Sequence, residues 1–221
     1  MKLPARNIFY RNSLSIIFIL MFLLSWGAQI YFGWRLYTHE LEERGKEAVS
    51  LSAYFWSGHS ISATFENFQS EFFQMFLYVV LTIFLRQVGS AESKDPELPE
   101  EVDREPLPSA SSPAPVKAGG WRLRIYKHSL SIVFALLFAG SWGGHLLGSY
   151  RNFNEEKLLN DEPAVPLSEF LAEPDFWFET FQNWQSEFLS IASIVILTIF
   201  LRQKGSPESK PVDAPHNQTG K

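Results

Sequence analysis

The sequence contains no cysteine, which excludes disulfide bonds, thiolate metal sites and cysteine nucleophiles. It also lacks a surplus of positive charge: 24 acidic residues outnumber 19 lysines and arginines, and the net charge is −5. Without a basic stripe, nucleic acid is not an expected partner. Motifs for phosphate loops, nucleophile elbows and zinc-binding helices are missing as well. We therefore expect neither an enzyme nor a cofactor or metal centre.

Charge is scarce within four long apolar blocks, although the average composition is ordinary, with 46% hydrophobic and 19% charged residues. About 20 apolar residues in a helix cross the ~30 Å hydrocarbon core of a bilayer. The blocks therefore predict an all-α membrane protein with four transmembrane helices. The expected spans are about 14–36, 65–87, 129–150 and 181–203.

The chain carries one unit twice, at a constant offset of 116 residues. SLSIIFILMFLLSWG at 13–27 returns as SLSIVFALLFAGSWG at 129–143, and the block from Phe65 to Lys94 returns from Phe181 to Lys210. The duplication predicts two parallel two-helix repeats related by a pseudo-twofold axis along the membrane normal. It also argues against a cleaved signal peptide at the N-terminus, because the first block has an internal copy.

The repeats divide the chain into four regions. Residues 1–94 form the first membrane repeat and residues 121–210 the second. The Pro-, Glu- and Ser-rich segment 95–120 and the tail 211–221 are predicted to be disordered. Lysines and arginines cluster at both termini and beside the linker, so the positive-inside rule places both termini in the cytoplasm of a multi-pass cell-membrane protein.

Polar residues on one face of the second and fourth blocks form the main candidate site. Four polar positions are identical in the two copies, whereas the outer loops have diverged: Asn67 and Asn183, Gln69 and Gln185, Ser70 and Ser186, Glu71 and Glu187. Glu71 and Glu187 would form a symmetric acid pair that binds a proton, a cation or a polar ligand. Alternatively, these residues cross-link helices near the outer membrane interface.

The first and third blocks hold fewer candidates. Gln29 and His145 occupy equivalent positions, where His145 is either a ligand or proton relay or a packing residue. Gly140, Gly144 and Gly148 recur at every fourth position, which favours a close helix contact within the chain or between two copies.

Each repeat ends in the string LTIFLRQ-x-GS-x-ESK. Its arginines, Arg86 and Arg202, are candidates for binding lipid phosphate, a partner protein or the C-terminal end of their own helix. The serine-to-lysine segments that follow, Ser90–Lys94 and Ser206–Lys210, are expected to form a helix cap, a partner-docking surface, or both.

The strings NFQSEF…LTIFLRQVGSAESK and NWQSEF…LTIFLRQKGSPESK resemble a family of uncharacterised bacterial integral membrane proteins. The resemblance covers nearly the whole chain and implies a bacterial cytoplasmic-membrane protein of unknown activity. We expect a non-enzymatic scaffold or interaction protein of the cell envelope. Its partners would be the lipid bilayer and either a second copy or another membrane protein. The alternative is a small transporter, channel or proton-coupled protein that uses Glu71 and Glu187.

Overall fold

The computed structural model describes residues 8–220, and this part of the chain is helical without a β-strand. Four long helices dominate, and short helices lie between them. In chain order the α-helices are α1 (Ile8–Arg11), α2 (Ser13–Glu43), α3 (Leu51–Phe55), α4 (Gly58–Phe84), α5 (Ala114–Ala118), α6 (Gly120–Lys127), α7 (Ser129–Leu159), α8 (Leu167–Phe170) and α9 (Pro174–Phe200). The predicted all-α class is therefore confirmed.

Three of the long helices are long and apolar enough to cross a membrane: α2, α7 and α9. The prediction of four spans is wrong by this measure, because α4 is not among them. Five polar residues within eight positions, from Asn67 to Gln74, lower its hydropathy. The matching helix α9 carries Ser190 and Ile194 where α4 has Gln74 and Tyr78. An odd number of crossings would also put the two termini on opposite sides, contrary to the expectation for both termini.

The long helices recur with the same lengths at the offset of the duplication. α2 and α7 each have 31 residues, and α4 and α9 each have 27. Even the diverged loops after α2 and α7 have matching elements, since α3 begins at Leu51 and α8 begins 116 residues later at Leu167. The helices also extend beyond the apolar blocks into polar sequence. The backbone hydrogen bonds of a helix do not require apolar side chains, so the helix continues past the block.

The chain forms two compact units, and each unit takes segments from both copies of the repeat. Unit 1 holds the residues up to Phe65 together with Gly144–Ala172. Unit 2 holds Glu66–Gly143 and the residues from Glu173 onward. The units therefore do not coincide with the tandem halves of the sequence.

In unit 1, matching contacts hold the loops that follow α2 and α7 against these helices. The Trp34 indole donates to the Val49 carbonyl at 2.7 Å, and the Tyr150 hydroxyl donates to the Val165 carbonyl at 2.9 Å. All four positions match at an offset of 116. The same offset relates two ring contacts: Tyr37 with Tyr54 at 5.6 Å, and Phe153 with Phe170 at 5.4 Å.

Glycines bring α4 and α7 close together in antiparallel orientation within unit 1. A side chain at Gly144 would clash with the Phe65 ring, and one at Gly148 would clash with the backbone of Ser62. Beside this contact, the hydroxyls of Ser62 and Ser149 are hydrogen-bonded at 2.6 Å. Gly144 and Gly148 therefore serve an internal contact, whereas a side chain at Gly140 would meet no atom within 4 Å.

In unit 2, α4 lies parallel to α9, and three aromatic rings pack beside the pair. Phe73 of α4 contacts Trp184 of α9 at 4.4 Å and Phe138 of α7 at 4.7 Å between ring centroids. Polar contacts also join the two helices, between Gln74 of α4 and Ser190 of α9. Unit 2 thus contains both copies of the repeated string LTIFLRQ-x-GS-x-ESK.

The two segments predicted to be disordered have local structure. Residues 95–120 contain a 3-10 helix, Glu101–Asp103, and the short helix α5. Ion pairs of Lys94 with Asp103 at 2.5 Å and of Lys127 with Glu105 at 2.6 Å connect this segment to its flanks. The tail folds back through a hydrogen bond from the amide of Gly220 to the carbonyl of Ser90 at 2.9 Å.

Candidate functional site

A row of polar contacts joins α4 to α9. The Gln74 side-chain amide donates to the Ser190 hydroxyl at 2.6 Å and to the Glu187 carbonyl at 2.7 Å. The Ser70 hydroxyl, which donates to the Asn67 carbonyl at 2.9 Å, also lies 3.5 Å from the Glu187 carboxylate. Gln74 and Ser190 are equivalent positions of the two copies, so matching faces of the repeats meet here.

The predicted polar residues do not take equivalent positions in these contacts. Glu187 is half-buried, whereas Glu71 and Asn67 are exposed. Ser70 and its counterpart Ser186 each donate to the asparagine carbonyl three residues earlier in their own helix, but Ser70 is buried and Ser186 is exposed. The equivalent residues therefore differ in burial, with Glu187 as the more enclosed acid, and a symmetric acid pair stays a prediction.

A second pair of carboxylates, which the sequence reasoning missed, lies one to two turns away. The carboxylate oxygens of Glu66 and Glu179 are within 4.8 Å of each other. Asn183 bridges them, because its amide donates to the Glu66 carboxylate and to the Glu179 carbonyl, the latter at 2.9 Å. Comparing the copies could not find this pair, because Gln182 and Ala63 stand at the matching positions. The remaining sequence signal was the position of both acids at the outer end of an apolar block.

Gln29 and His145 both lie within unit 1. Gln29 is half-buried on α2. His145 on α7 is fully buried, with 0% of its surface exposed, and lies against the backbone of Ser62. This position is next to the close approach at Gly144 and Gly148. The packing interpretation of His145 therefore has a structural basis, and a role as a ligand or relay stays a prediction.

The two LRQ-x-GS-x-ESK strings fold into the same cap at the ends of α4 and α9. In each cap the hydroxyl of the serine before the final lysine accepts from the backbone N–H of the glutamine. The bonds run from Gln87 to Ser93 and from Gln203 to Ser209, both at 2.9 Å. Gly89 and Gly205 have φ values of 84° and 86°, in the left-handed region where glycine ends helices without strain. Nearly identical short sequences thus make the same local bonds.

The arginines of both caps bind the ends of their own helices. Nη1 of Arg86 donates to three carbonyls of α4 and its exit, those of Thr82, Ile83 and Leu85, at 2.9–3.4 Å. Nη1 of Arg202 repeats this pattern at 2.8–3.2 Å. Nη2 of Arg202 additionally donates to the Ala214 carbonyl of the tail at 3.0 Å. Arg86 is exposed, whereas Arg202 is half-buried.

The second cap is locked onto the first. The Thr198 hydroxyl lies 3.2 Å from the Ser90 hydroxyl and accepts from the Ala91 amide at 3.2 Å. Lys210 is only 1% exposed. Its ammonium group donates to the carbonyls of Gly89, Pro215, His216 and Gln218 at 2.5–3.2 Å. Burial and the nearby Arg202 lower the pKa of Lys210, and the carbonyl dipoles offset part of that cost.

A cavity of about 380 Å³ lies between the C-terminal halves of α4 and α9, directly beside the first cap. Its walls are mainly apolar, and Arg86, Glu92 and Ser93 line its cap end. The Tyr78 hydroxyl donates to the Glu92 carboxylate at 2.5 Å and ties the cap to α4. This volume is within the range of natural ligand pockets, roughly 300–1,000 Å³.

Comparison with known proteins assigns no activity. No curated protein and no solved structure matches the chain. One family model, described as a domain of unknown function (DUF6766), matches residues 5–221 and so spans nearly all of the sequence. The resemblance to a family of unknown activity is thus confirmed. With its apolar helices, paired caps and nearly complete match, the chain belongs to the DUF6766 family.

Proposed function

We propose that the protein is a non-enzymatic scaffold of the bacterial cell membrane, which binds a partner protein through its two joined caps. The observation that carries this proposal is the link between the caps: Lys210 of the second cap donates to Gly89 of the first. Two repeated elements are thereby joined into one rigid platform at a common end of α4 and α9. A rigid surface loses little conformational entropy on binding.

The charge pattern supports a cytoplasmic position for this platform. Arg202 and Lys204 follow α9, and Arg122 and Arg124 precede α7. The loop between these two membrane helices, residues 160–173, is acidic and contains no lysine or arginine. Positively charged flanks favour the cytoplasmic side, so α7 and α9 form a hairpin whose loop is external.

The matching helix lengths and loop contacts support descent of the two halves from one duplicated unit. In this proposal the first and second repeats are related by a local pseudo-twofold axis, since the equivalent positions Gln74 and Ser190 meet. A duplicated scaffold would present two versions of one cap, and the versions differ in charge where Val88 is replaced by Lys204.

Site-directed cross-linking tests the scaffold. Because the chain has no cysteine, Val88→Cys and Lys204→Cys each place a single attachment point for a photo-reactive label on an exposed cap position. In native membranes both variants should yield an adduct with the same partner. Asp161→Cys, in the acidic loop, is the control and should not yield it. The proposal fails if the caps yield no protein adduct, or one that Asp161→Cys yields equally.

The alternative function, a proton-coupled transporter, is favoured by one observation, the proximity of Glu66 and Glu179. Two close acids in a site with little water share a proton more readily than isolated ones. In liposomes, such a protein would carry a proton flux that Glu66→Gln with Glu179→Gln abolishes. The double variant Glu71→Gln with Glu187→Gln tests, in the same assay, the acid pair that the duplication predicts. Absence of flux in the unmodified protein excludes this alternative.

A further inference from the structure

We propose that the cavity beside the first cap binds one phospholipid of the membrane, with an acyl chain between α4 and α9 and an amine-bearing headgroup at the cap. This assignment goes beyond the scaffold role and does not depend on it. The cavity walls are apolar side chains of two neighbouring helices: Leu77, Leu81, Leu85, Ile191, Ala192 and Val195. Such walls suit a hydrocarbon chain.

The cap end of the cavity carries one charge of each sign. Arg86 is exposed and donates to the helix carbonyls through Nη1. Its duplicate Arg202 also donates through Nη2 to a carbonyl of the tail. A guanidinium group is well suited to bind a phosphate. Glu92 lines the same cavity and is positioned by Tyr78. An opposite charge next to the phosphate site matches the primary ammonium of phosphatidylethanolamine.

The differences between the two copies support phosphatidylethanolamine as the ligand of the first cap. At the second cap the tail bonds Arg202 through the Ala214 carbonyl, and Ile194 replaces Tyr78. Tyr78, which positions Glu92, thus has no counterpart with a hydroxyl group in the second copy. The features that suit a zwitterionic headgroup are therefore present together at the first cap only, within residues 8–220.

Native mass spectrometry of the full-length protein tests the site directly. The protein is equilibrated with phosphatidylethanolamine, phosphatidylglycerol and phosphatidylcholine of identical acyl chains. We expect one retained phosphatidylethanolamine, and about tenfold weaker retention in Arg86→Gln, because a charge-assisted hydrogen bond is lost. Glu92→Gln should remove the preference for phosphatidylethanolamine over phosphatidylglycerol. Leu81→Trp should block retention by filling the cavity.

The duplicated arginine and glutamate provide matched controls. Arg202→Gln and Glu208→Gln remove the same charges from the second cap and should leave lipid retention unchanged. Circular dichroism and size-exclusion chromatography confirm that each variant is folded. The proposal is overturned if Arg86→Gln and Arg202→Gln lose lipid equally, or if the three lipids are retained without preference, as ordinary boundary lipids would be.

Discussion

At the scale of single residues, duplicated positions have acquired different environments. Lys94 and Lys210 close the same cap motif, yet Lys94 pairs with Asp103 near the surface, whereas Lys210 is enclosed by backbone carbonyls. Glu71 and Glu187 likewise differ in exposure. Identity between the copies therefore identifies the residues that the fold reuses, but it does not define a symmetric site.

The contrast between the two lysines can be tested by removing each ammonium group. Lys210→Met should lower the free energy of unfolding by about 1–3 kcal/mol, because several buried carbonyls lose their donor. Lys94→Met should cost only about 0–1 kcal/mol, as expected for an ion pair near the surface. Denaturant unfolding measures both, and limited proteolysis should cut the tail faster in Lys210→Met alone. Equal effects would contradict the assigned role of Lys210.

The half-buried His59 in unit 1 should make stability depend on pH. Burial lowers the pKa of His59 below its ordinary value of 6.5, against the opposing effect of Glu40. As the pH falls below about 6.5, the unfolded chain takes up a proton more readily than the folded one, so the free energy of unfolding decreases. His59→Gln should reduce this decrease while keeping a partner for the Tyr54 hydroxyl, which now lies 3.0 Å from His59 Nδ1.

Thermal unfolding on both sides of about pH 6.5 measures the effect of His59. His39→Gln is the control, because His39 is exposed on α2. It should leave the pH dependence as it is in the unmodified protein. A pH profile that His59→Gln leaves unchanged would show that this histidine does not couple protonation to folding.

At the scale of elements, glycine spacing predicts close packing but not which glycines are used. Gly148→Ala places a methyl group against the Ser62 backbone and should destabilise the protein by about 1–3 kcal/mol, a usual cost of overpacking. Gly140→Ala adds the same group where no atom lies within 4 Å and should be tolerated. Unfolding in detergent compares the two variants. Equal loss of stability would mean that helix flexibility, rather than contact, explains the glycines.

At the scale of the whole molecule, the topology of the membrane hairpin is the central prediction. Cysteine introduced at Asp161 should react with a membrane-impermeant maleimide in intact cells, and cysteine at Lys204 should react only after permeabilisation. Val88→Cys should behave like Lys204→Cys, because Ser90 contacts Thr198 within unit 2. A label at Lys204 in intact cells would reverse the proposed orientation. A tag on the N-terminus, which lies outside the described residues, then reports the side of the membrane on which this terminus lies. That side shows whether the number of crossings is odd or even.

Much of the fold could be predicted from the sequence, but the candidate sites were predicted only in part. Apolar blocks locate the long helices, because lipid compatibility and backbone hydrogen bonding depend on neighbouring residues. The Glu66–Glu179 pair was missed because neither acid recurs in the other copy. The span predicted over α4 was wrong because its length suits a membrane but the polar residues from Asn67 to Gln74 lower its mean hydropathy.

The sequence by itself determined the helical class, the duplication and the cap motif. A cap such as Gln87 to Ser93 closes within six residues, so its bonds follow from local sequence alone. Only the tertiary structure decided which carboxylates meet, which arginine the tail covers and which lysine is buried. The pairing of Glu66 with Glu179 and the bond from Lys210 to Gly89 join residues more than 100 positions apart, and nearly identical strings cannot encode different surroundings.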